Sequence, residues 1–453
     1  MENKRSSFTG KIGFVLAAAG SAVGLGNIWR FPYLAARYGG GIFLLVYLVL
    51  AVTFGFVLMC AEIAIGRKTG KSAIGAFSAL SKKYRFIGAL ASVVPMLILP
   101  YYSVIGGWVM KYFTVFVSGG INDAAQSGFF DSFIEKPLEP VGWFLLYIGL
   151  TALVVLFGVE KGVEKVSKLM MPVLVVLTIG IAVYTMFMPG AMDGVKYYIT
   201  PDFSKFSVNT VLGAMGQLFY SMSLAMGIMI TYGSYMKKEV SIEGSVRQIE
   251  LFDTGIAFLA GLMIVPAVFS FSGGDEAALN QGPGLMFVTL PKVFASIESI
   301  GGSIIGALFF LMVMFAALTS SISLMETVVS IVRDKLGWGR KTACIAVFAG
   351  SAALGLPSAF GFSIWSKVKL AGMSILDMFD FFSNSILMPA VALLTSLFIG
   401  YVIKPKSLTD EIELTGRFKK KTMFSVMIKY VCPVFIVLIL ISSVLDGLGI
   451  ADI

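Results

Sequence analysis

The sequence contains no histidine, and this absence excludes imidazole proton relays and histidine-ligated metal sites. The cysteines number three, Cys60, Cys344 and Cys432, and all lie within apolar runs at spacings that fit neither a metal centre nor a redox pair. Charged residues make up 13% of the chain, whereas typical soluble domains have about 25%. A soluble globular protein is therefore excluded.

The sequence is rich in hydrophobic residues, which make up 57% of the chain and occur in long runs. Eleven runs approach or exceed the roughly 20 residues that a helix needs to cross a membrane. They predict an all-α membrane protein of about eleven transmembrane helices, numbered here as spans 1 to 11: 11–38, 41–66, 87–118, 141–158, 165–188, 208–236, 244–271, 303–333, 341–356, 373–403 and 424–445. Residues 1–5 followed by the first run also imitate a cleaved signal peptide, but Trp29-Arg30-Phe31-Pro32 would then have no role.

The net charge of +9 does not indicate a nucleic-acid partner, because the basic residues form short clusters between apolar runs rather than a continuous face. If the N-terminus lies in the cytoplasm, 26 of the 35 Lys and Arg residues fall on the cytoplasmic side. The positive-inside rule therefore predicts a multi-pass protein of the cell membrane with a cytoplasmic N-terminus. Eleven spans would place the C-terminus outside.

Span 1 carries three glycines and an asparagine near mid-depth, in Gly20-Ser21-Ala22-Val23-Gly24-Leu25-Gly26-Asn27. Glycine in a helix interior costs about 1 kcal/mol relative to alanine. These residues suit a helix that opens at the membrane midplane and turns its freed carbonyls and amides towards a ligand. A GxxxG contact between Gly20 and Gly24 and a neighbouring helix is the alternative on this segment alone.

Span 6 has a matching interruption at Ser221-Met222-Ser223, with Gly216 before it and Gly227 after it. Spans 1–5 and 6–10 can be interpreted as two halves that enter the membrane from opposite sides. Paired interrupted helices at corresponding positions predict the binding site of a transporter. A serine-rich packing seam is the alternative, and the correspondence of the two breaks argues against it.

Residues 20–32 resemble, almost letter for letter, the first helix of the neurotransmitter:sodium symporter family, whose bacterial members carry amino acids. Similar stretches follow in order at 217–235, 316–325 and 377–380. The resemblance implies the leucine-transporter fold, with a 5+5 inverted repeat and helices 1 and 6 unwound at mid-membrane. It implies one transmembrane domain, 1–453, with repeat one at about 11–188, repeat two at about 208–403 and an extra helix at about 424–445. We expect no twelfth helix, which many members have.

The resemblance further implies two sodium sites and no organic cofactor. The first sodium would be held by the Ala22 carbonyl and the side chains of Asn27, Ser221 and Asp253, with the substrate's carboxylate completing the shell. The second would be held by the carbonyls of Gly20, Val23 and Ala316 and the hydroxyls of Thr319 and Ser320. Such oxygen ligands suit a small hard cation. Taken alone, residues 319–321 are more typical of a helix–helix contact.

The substrate expected from the resemblance is an L-amino acid. Members that carry amines have an aspartate at the position of Gly24, so the substrate here must bring its own carboxylate. The residues expected to bind its carboxylate are Leu25, Gly26 and Tyr102, through two amides and a hydroxyl. The residues expected to bind its ammonium are Ala22, Tyr220 and Ser223, through their carbonyls. Ser221, beside the first sodium, is also expected to belong to the substrate site.

The expected side-chain pocket is uncharged and consists of Ser21, Ile98, Tyr220, Ser223, Met226, Ser320 and Leu324. An acidic or basic substrate would leave an unpaired ion in this pocket. Met226 replaces a phenylalanine of a relative and can adapt to varied shapes. Ser21 is smaller than the asparagine of that relative. We therefore expect a large aliphatic or aromatic side chain on the substrate.

Asp253 departs from the pattern of chloride-dependent members, which have a neutral asparagine there and a serine one turn later, where this sequence has Ala257. A carboxylate within the membrane is costly unless it is paired. We expect Asp253 to supply the negative charge that chloride provides elsewhere, which makes transport chloride-independent. Proton release and uptake at Asp253, seen as proton antiport, and a structural ion pair with Arg247 are the alternatives.

The resemblance places two gates around the central site. Arg30 and Asp380 would face the outer vestibule and pair directly or through water, although Arg30 alone could simply snorkel to the interface. The inner gate would consist of Arg5 and Asp334, packed around by Phe8 and Tyr235. Glu62 would accept hydrogen bonds from the unwound backbone of span 6.

Together these expectations describe a sodium-coupled symporter that imports a hydrophobic L-amino acid by alternating access. Its partners would be sodium, the amino acid and the lipid bilayer, with no nucleic acid, and the sequence does not indicate an oligomeric state. A channel and an amino-acid sensor of the same fold are the rivals. A membrane enzyme is disfavoured because Glu62 and Asp253 have no nucleophile and base beside them.

Overall fold

The computed structural model describes residues 6–273, 283–297 and 300–447. Within these ranges the chain is helical and has no β-strand, only two isolated bridges. Nine of the described helices are long and apolar enough to cross a membrane, and a helix pair bent by 55° makes a tenth. A second interrupted pair completes the eleven expected spans.

The bounds of the spans agree with the apolar runs to within a few residues. Span 1 is Lys11–Ala22 with Gly26–Arg37, and span 6 is Val208–Ser221 with Ile228–Gly233. The others are Gly41–Thr69, Lys82–Val117, Glu139–Leu156, Val159–Met186, Ile242–Ser272, Gly301–Leu336, Arg340–Phe360, Ile375–Ile403 and Lys421–Leu445. Short helices connect them, among them Ala73–Leu80, Ala191–Ile199, Leu290–Ala295 and Lys406–Ile412.

The break in span 1 follows Ala22, where Val23 takes an extended conformation. The chain then resumes as a π-helical turn over Gly26–Arg30. In such a turn each backbone hydrogen bond joins residues five apart, whereas an α-helix joins residues four apart. Helical turns of this kind occur frequently at functional sites. The glycine-rich sequence therefore opens the helix at the predicted residues. Gly20 and Gly24 also lie close to Thr319 and Ser320 of span 8, so the contact with a neighbouring helix that the alternative expected is present beside the break.

The break in span 6 covers residues 222–227 and contains left-handed backbone at Ser223, Ala225 and Gly227, with φ of 52°, 60° and 70°. Left-handed conformations at non-glycine residues cost on the order of 1–3 kcal/mol each. Oε1 of Glu62 offsets part of this cost by accepting a 2.6 Å hydrogen bond from the Ala225 amide. The contact expected for Glu62 is therefore present.

Both broken spans lie at the centre of the molecule. The N-terminal half of span 1 packs against spans 5, 7 and 8, and its second half packs against span 7. The outer surface, in contrast, exposes large apolar side chains on many helices, including Leu153, Val176, Ile345 and Val434. Apolar surface of this extent is typical of contact with lipid.

Candidate functional site

A small cavity of about 30 Å³ lies between the two breaks. All twelve residues expected to bind substrate line it: Ser21, Ala22, Leu25, Gly26, Ile98, Tyr102, Tyr220, Ser221, Ser223, Met226, Ser320 and Leu324. Gly24, Asn27 and Ile228 complete the wall. The fold therefore brings together segments that are up to about 300 residues apart in the chain.

One end of the cavity presents hydrogen-bond donors. The Leu25 amide lies 3.4 Å from the Tyr102 hydroxyl oxygen. Gly24 has no room for a side chain, because a Cβ there would lie 2.7 Å from Ser320 Oγ and 3.1 Å from the Tyr102 hydroxyl. Backbone amides at a helix break together with a tyrosine hydroxyl favour a carboxylate at this end.

The other end of the cavity is neutral and largely apolar. Ser21 Oγ and Ser223 Oγ are 3.1 Å apart, and the Ser223 hydroxyl donates to the Ser21 carbonyl at 3.0 Å. Ile98, Met226 and Leu324 supply the remaining surface and are buried. These two serines satisfy each other, so this end offers an incoming side chain mainly apolar contact.

Asn27, Ser221 and Asp253 form one buried polar cluster that joins spans 1, 6 and 7. Asn27 Nδ2 donates to Asp253 Oδ1 at 2.8 Å and to Ser221 Oγ at 3.0 Å, and the Ser221 hydroxyl donates to Asp253 Oδ1 at 2.6 Å. Asn27 Oδ1 accepts from the Gly24 amide at 3.0 Å. The three side chains predicted for a first sodium are thus together, and a half-turn of the Asn27 amide would present its oxygen to a cation.

Asp253 is fully buried, and its second oxygen accepts a 3.2 Å hydrogen bond from the Tyr47 hydroxyl. Arg247, the structural partner considered from the sequence, lies one and a half turns earlier and forms an ion pair with Glu243 at 2.5 Å instead. That alternative for Asp253 is wrong, because span 7 presents Arg247 to the surface. The carboxyl is held by hydrogen bonds alone.

Ser320 forms the centre of a second oxygen cluster. Its hydroxyl lies 3.4, 3.1 and 3.2 Å from the carbonyl oxygens of Gly20, Ser21 and Val23. The Thr319 hydroxyl bonds within its own helix, to the carbonyls of Phe315 and Ala316. The residues predicted for the second sodium are therefore adjacent, and the described residues contain no His, Cys, Asp or Glu cluster suited to a transition metal.

On the side of the cavity away from the N-terminus, Arg30 lies over the Tyr220 ring at 5.5 Å. Asp380 Oδ1 accepts from the Tyr101 hydroxyl at 2.9 Å and from Asn384 Nδ2 at 2.6 Å. Arg30 is therefore not simply snorkelling, yet it makes no direct ion pair with Asp380 in the described part of the chain. Each of the two expected partners is held by an aromatic residue.

On the N-terminal side, Phe8 packs edge-on against Phe14, Tyr232 and Tyr235, and its amide donates to the Tyr235 carbonyl at 3.1 Å. Arg5 lies outside the described residues. Its expected partner Asp334 accepts from the amide and the hydroxyl of Ser72, at 2.8 and 2.7 Å.

Sequence reasoning missed several residues that bind the two clusters and the gates. Tyr47 donates to Asp253, Gln217 Nε2 donates to the Gly26 carbonyl at 2.9 Å, and Tyr101 and Asn384 bind Asp380. A buried ion pair between Glu326 and Arg340, with the Tyr235 hydroxyl bound to Glu326, also closes the N-terminal side. The sequence feature that could have identified these residues was their polarity within otherwise apolar runs.

Comparisons with known proteins agree with this geometry. The sequence profile of the sodium:neurotransmitter symporter family matches residues 5–121 and 134–448. The chain is 35% identical to YhdH, an uncharacterized sodium-dependent transporter of Bacillus subtilis (strain 168), over 98% of both chains. It is 24% identical to the human sodium- and chloride-dependent GABA transporter 2, over 90% of this chain and 75% of that one.

Among solved structures, MhsT in complex with L-phenylalanine matches with a TM-score of 0.87 and 36% identity, over 97% of this chain and 100% of that one. Both the sequence and the two broken helices therefore lead to the same assignment. The chain belongs to the sodium:neurotransmitter symporter family of multi-pass membrane transporters.

Proposed function

We propose that this protein imports a hydrophobic L-amino acid with a large aliphatic or aromatic side chain, driven by sodium and independent of chloride. The observation that carries the proposal is the cavity between the two breaks, which has amides and the Tyr102 hydroxyl at one end and neutral residues at the other. MhsT, whose solved complex contains L-phenylalanine, supports the same class of substrate.

The first sodium would couple directly to the substrate. The cluster of Asn27, Ser221 and Asp253 adjoins the donor end of the cavity, since Asn27 and Ser221 line both. A substrate carboxylate at the Leu25 amide would lie beside the cation and complete its shell of oxygen atoms. Binding of either partner would then favour binding of the other by the same factor.

The second sodium would hold span 1 against span 8. The Ser320 hydroxyl now lies among three carbonyls of the break, so a cation there would be bound by oxygen atoms of both helices. Such a contact would stabilise the arrangement in which the N-terminal side is closed. Loss of the ion would release span 1 and allow that side to open, as alternating access requires.

Chloride independence is supported by the chemistry at Asp253. Its carboxyl already occupies the space between Tyr47, Ser221 and Asn27, and an ionised carboxylate there would balance the charge of the first sodium. The alternative, proton antiport at Asp253, predicts a dependence on an imposed pH gradient.

The gates supply the remaining requirement for alternating access. Arg30, Tyr220 and Asp380 would close the outer side, and Phe8, Tyr235 and Asp334 the cytoplasmic side, with the N-terminus in the cytoplasm and the C-terminus outside. The clustering of Lys and Arg residues in alternate loops supports this orientation. We assign no enzymatic role and no organic cofactor.

The decisive experiment is uptake of all twenty radiolabelled amino acids into proteoliposomes, with sodium, potassium and pH gradients imposed separately. We expect accumulation of large neutral amino acids under an inward sodium gradient only, unchanged when chloride is replaced by gluconate. Saturable binding without accumulation would instead identify a sensor, and single-channel currents would identify a channel. Ligand retention that is equal in sodium and in choline would refute the proposal.

A further inference from the structure

A second cavity of about 700 Å³ opens on the side of the molecule, between spans 2 and 7, and is called here the lateral groove. Its wall is mostly apolar, with exposed side chains such as Leu48, Val52, Leu251 and Phe258. From Gly41 to Val52 the lining follows twelve residues of span 2, about 16 Å at a rise of 1.5 Å per residue. That length is roughly half of a 30 Å hydrocarbon core, enough to hold much of an acyl chain.

Charged groups are gathered at one end of the lateral groove. Lys420 Nζ donates to the Val52 carbonyl at 3.2 Å and lies 4.3 Å from the centre of the Phe56 ring. Arg247 lines the groove and forms an ion pair with Glu243, one turn earlier in span 7, at 2.5 Å. Two cationic groups are thus held at the mouth of an apolar groove, the arrangement that favours a lipid phosphate.

Glu250 also lines the lateral groove and is only 7% exposed. Its Oε1 has no hydrogen-bond partner within the described ranges. A buried polar atom without a partner is costly, so a donor from a bound molecule would be stabilising. This atom distinguishes the groove from an ordinary lipid-facing surface, because an acyl chain alone would leave it unpaired.

We propose that the lateral groove is a binding site for one phosphatidylethanolamine molecule. Its phosphate would bind Lys420 and Arg247, its ammonium would donate to Glu250, and one acyl chain would lie along span 2. The groove thus offers both cationic groups and an acidic group to one headgroup, an arrangement that complements a zwitterion better than an anionic headgroup. Phosphatidylcholine lacks an N–H group that could donate to Glu250.

The bound lipid would also contact the wall of the first cation cluster. Tyr47 lines the lateral groove and donates to Asp253. Tyr47 and Asp253 therefore separate the groove from Asn27 and Ser221, which line the central cavity. This position gives a lipid in the groove contact with a residue that holds the cation cluster in place.

The test uses the full-length protein, purified from a bacterial membrane in mild detergent and weighed intact by mass spectrometry. We expect one retained phosphatidylethanolamine per chain. After delipidation, phosphatidylethanolamine should rebind in preference to phosphatidylcholine and phosphatidylglycerol offered at equal concentration. Equal rebinding of either competitor would overturn the proposal.

Variants locate the site. Lys420→Ala and Glu250→Gln should each retain about tenfold less phosphatidylethanolamine, because charge-assisted hydrogen bonds are the stronger ones. Lys419→Ala is the matched control, since Lys419 is exposed and does not line the groove. Val52→Trp fills the groove from the lipid-facing surface and should abolish retention without disturbing folding. Retention by Val52→Trp and Lys420→Ala equal to that of the wild type would refute the site.

Discussion

Asp253→Asn tests the charge balance at the first cation cluster. The substitution keeps the shape of a side chain that is 0% exposed and accepts hydrogen bonds from Asn27, Ser221 and Tyr47. It retains one acceptor oxygen but removes the negative charge. Its effect on packing should therefore be small compared with its effect on a bound cation.

The expected loss of sodium affinity follows from Coulomb's law. Two unit charges 4 Å apart attract each other by about 4 kcal/mol at an effective dielectric constant of about 20. Each 1.4 kcal/mol corresponds to about tenfold in affinity. Asp253→Asn should therefore weaken sodium binding by roughly a hundredfold to a thousandfold in the absence of another anion. Chloride entering the space left by the charge should recover part of that loss.

The assay is equilibrium binding of radiolabelled L-leucine to the purified protein, titrated with sodium in choline chloride and in choline gluconate. The wild type should respond equally in the two salts, and Asp253→Asn should bind sodium more tightly in chloride. Asp123→Asn, at an exposed acid in the short helix Ile121–Ala124, serves as the control. A variant with wild-type sodium affinity and no response to chloride would refute the role assigned to Asp253.

Three further substitutions test other parts of the mechanism. Ser320→Ala should weaken sodium binding about tenfold in the same titration, because the hydroxyl that contacts three carbonyls of span 1 is lost. Glu62→Ala leaves the buried Ala225 amide without its acceptor, so thermal unfolding should show a loss of about 1–3 kcal/mol, and an unchanged Tm would contradict that role. Arg340→Ala leaves the buried carboxylate of Glu326 without its cation and with the Tyr235 hydroxyl still bound, at a cost of about 3–5 kcal/mol, and should open the N-terminal side. Maleimide labelling of the buried Cys344 should then become faster, and an unchanged rate would contradict a closing role for the ion pair.

The spans and both breaks could be predicted from the sequence because the membrane makes their signals strong. An apolar run of 20 residues has few alternative structures in a membrane, and glycines near its middle are costly in an unbroken helix. Resemblance then placed the substrate residues, all twelve of which line the cavity. These residues lie at the breaks or on the helices facing them, where the backbone restricts the choice of position.

The partners of the gate residues could not be predicted in the same way. Asp380 binds Tyr101 and Asn384 rather than Arg30. Whether Tyr101 or the adjacent Tyr102 faces Asp380 depends on the rotation of span 3 about its axis. In a soluble helix, amphipathic periodicity would indicate that rotation. Span 3 buries apolar residues around most of its circumference, so its sequence carries little information about which face meets span 10.

Coupling between cation and substrate follows from the fact that the same atoms join the two broken helices. Asn27 of span 1 donates to Ser221 of span 6 and to Asp253 of span 7. These hydrogen bonds join the same three helices that a bound cation would join. When a cation enters this cluster, the side chains turn oxygen atoms towards it in place of hydrogen-bond donors. The three helices stay joined, now through the cation. A substrate carboxylate arriving at the Leu25 amide then meets a positive charge already in place, whereas without the cation it would face the carboxyl of Asp253 across the same cavity wall. Sodium should therefore bind before the substrate, and removal of the charge at Asp253 should move the sodium dependence of substrate affinity to higher sodium concentrations.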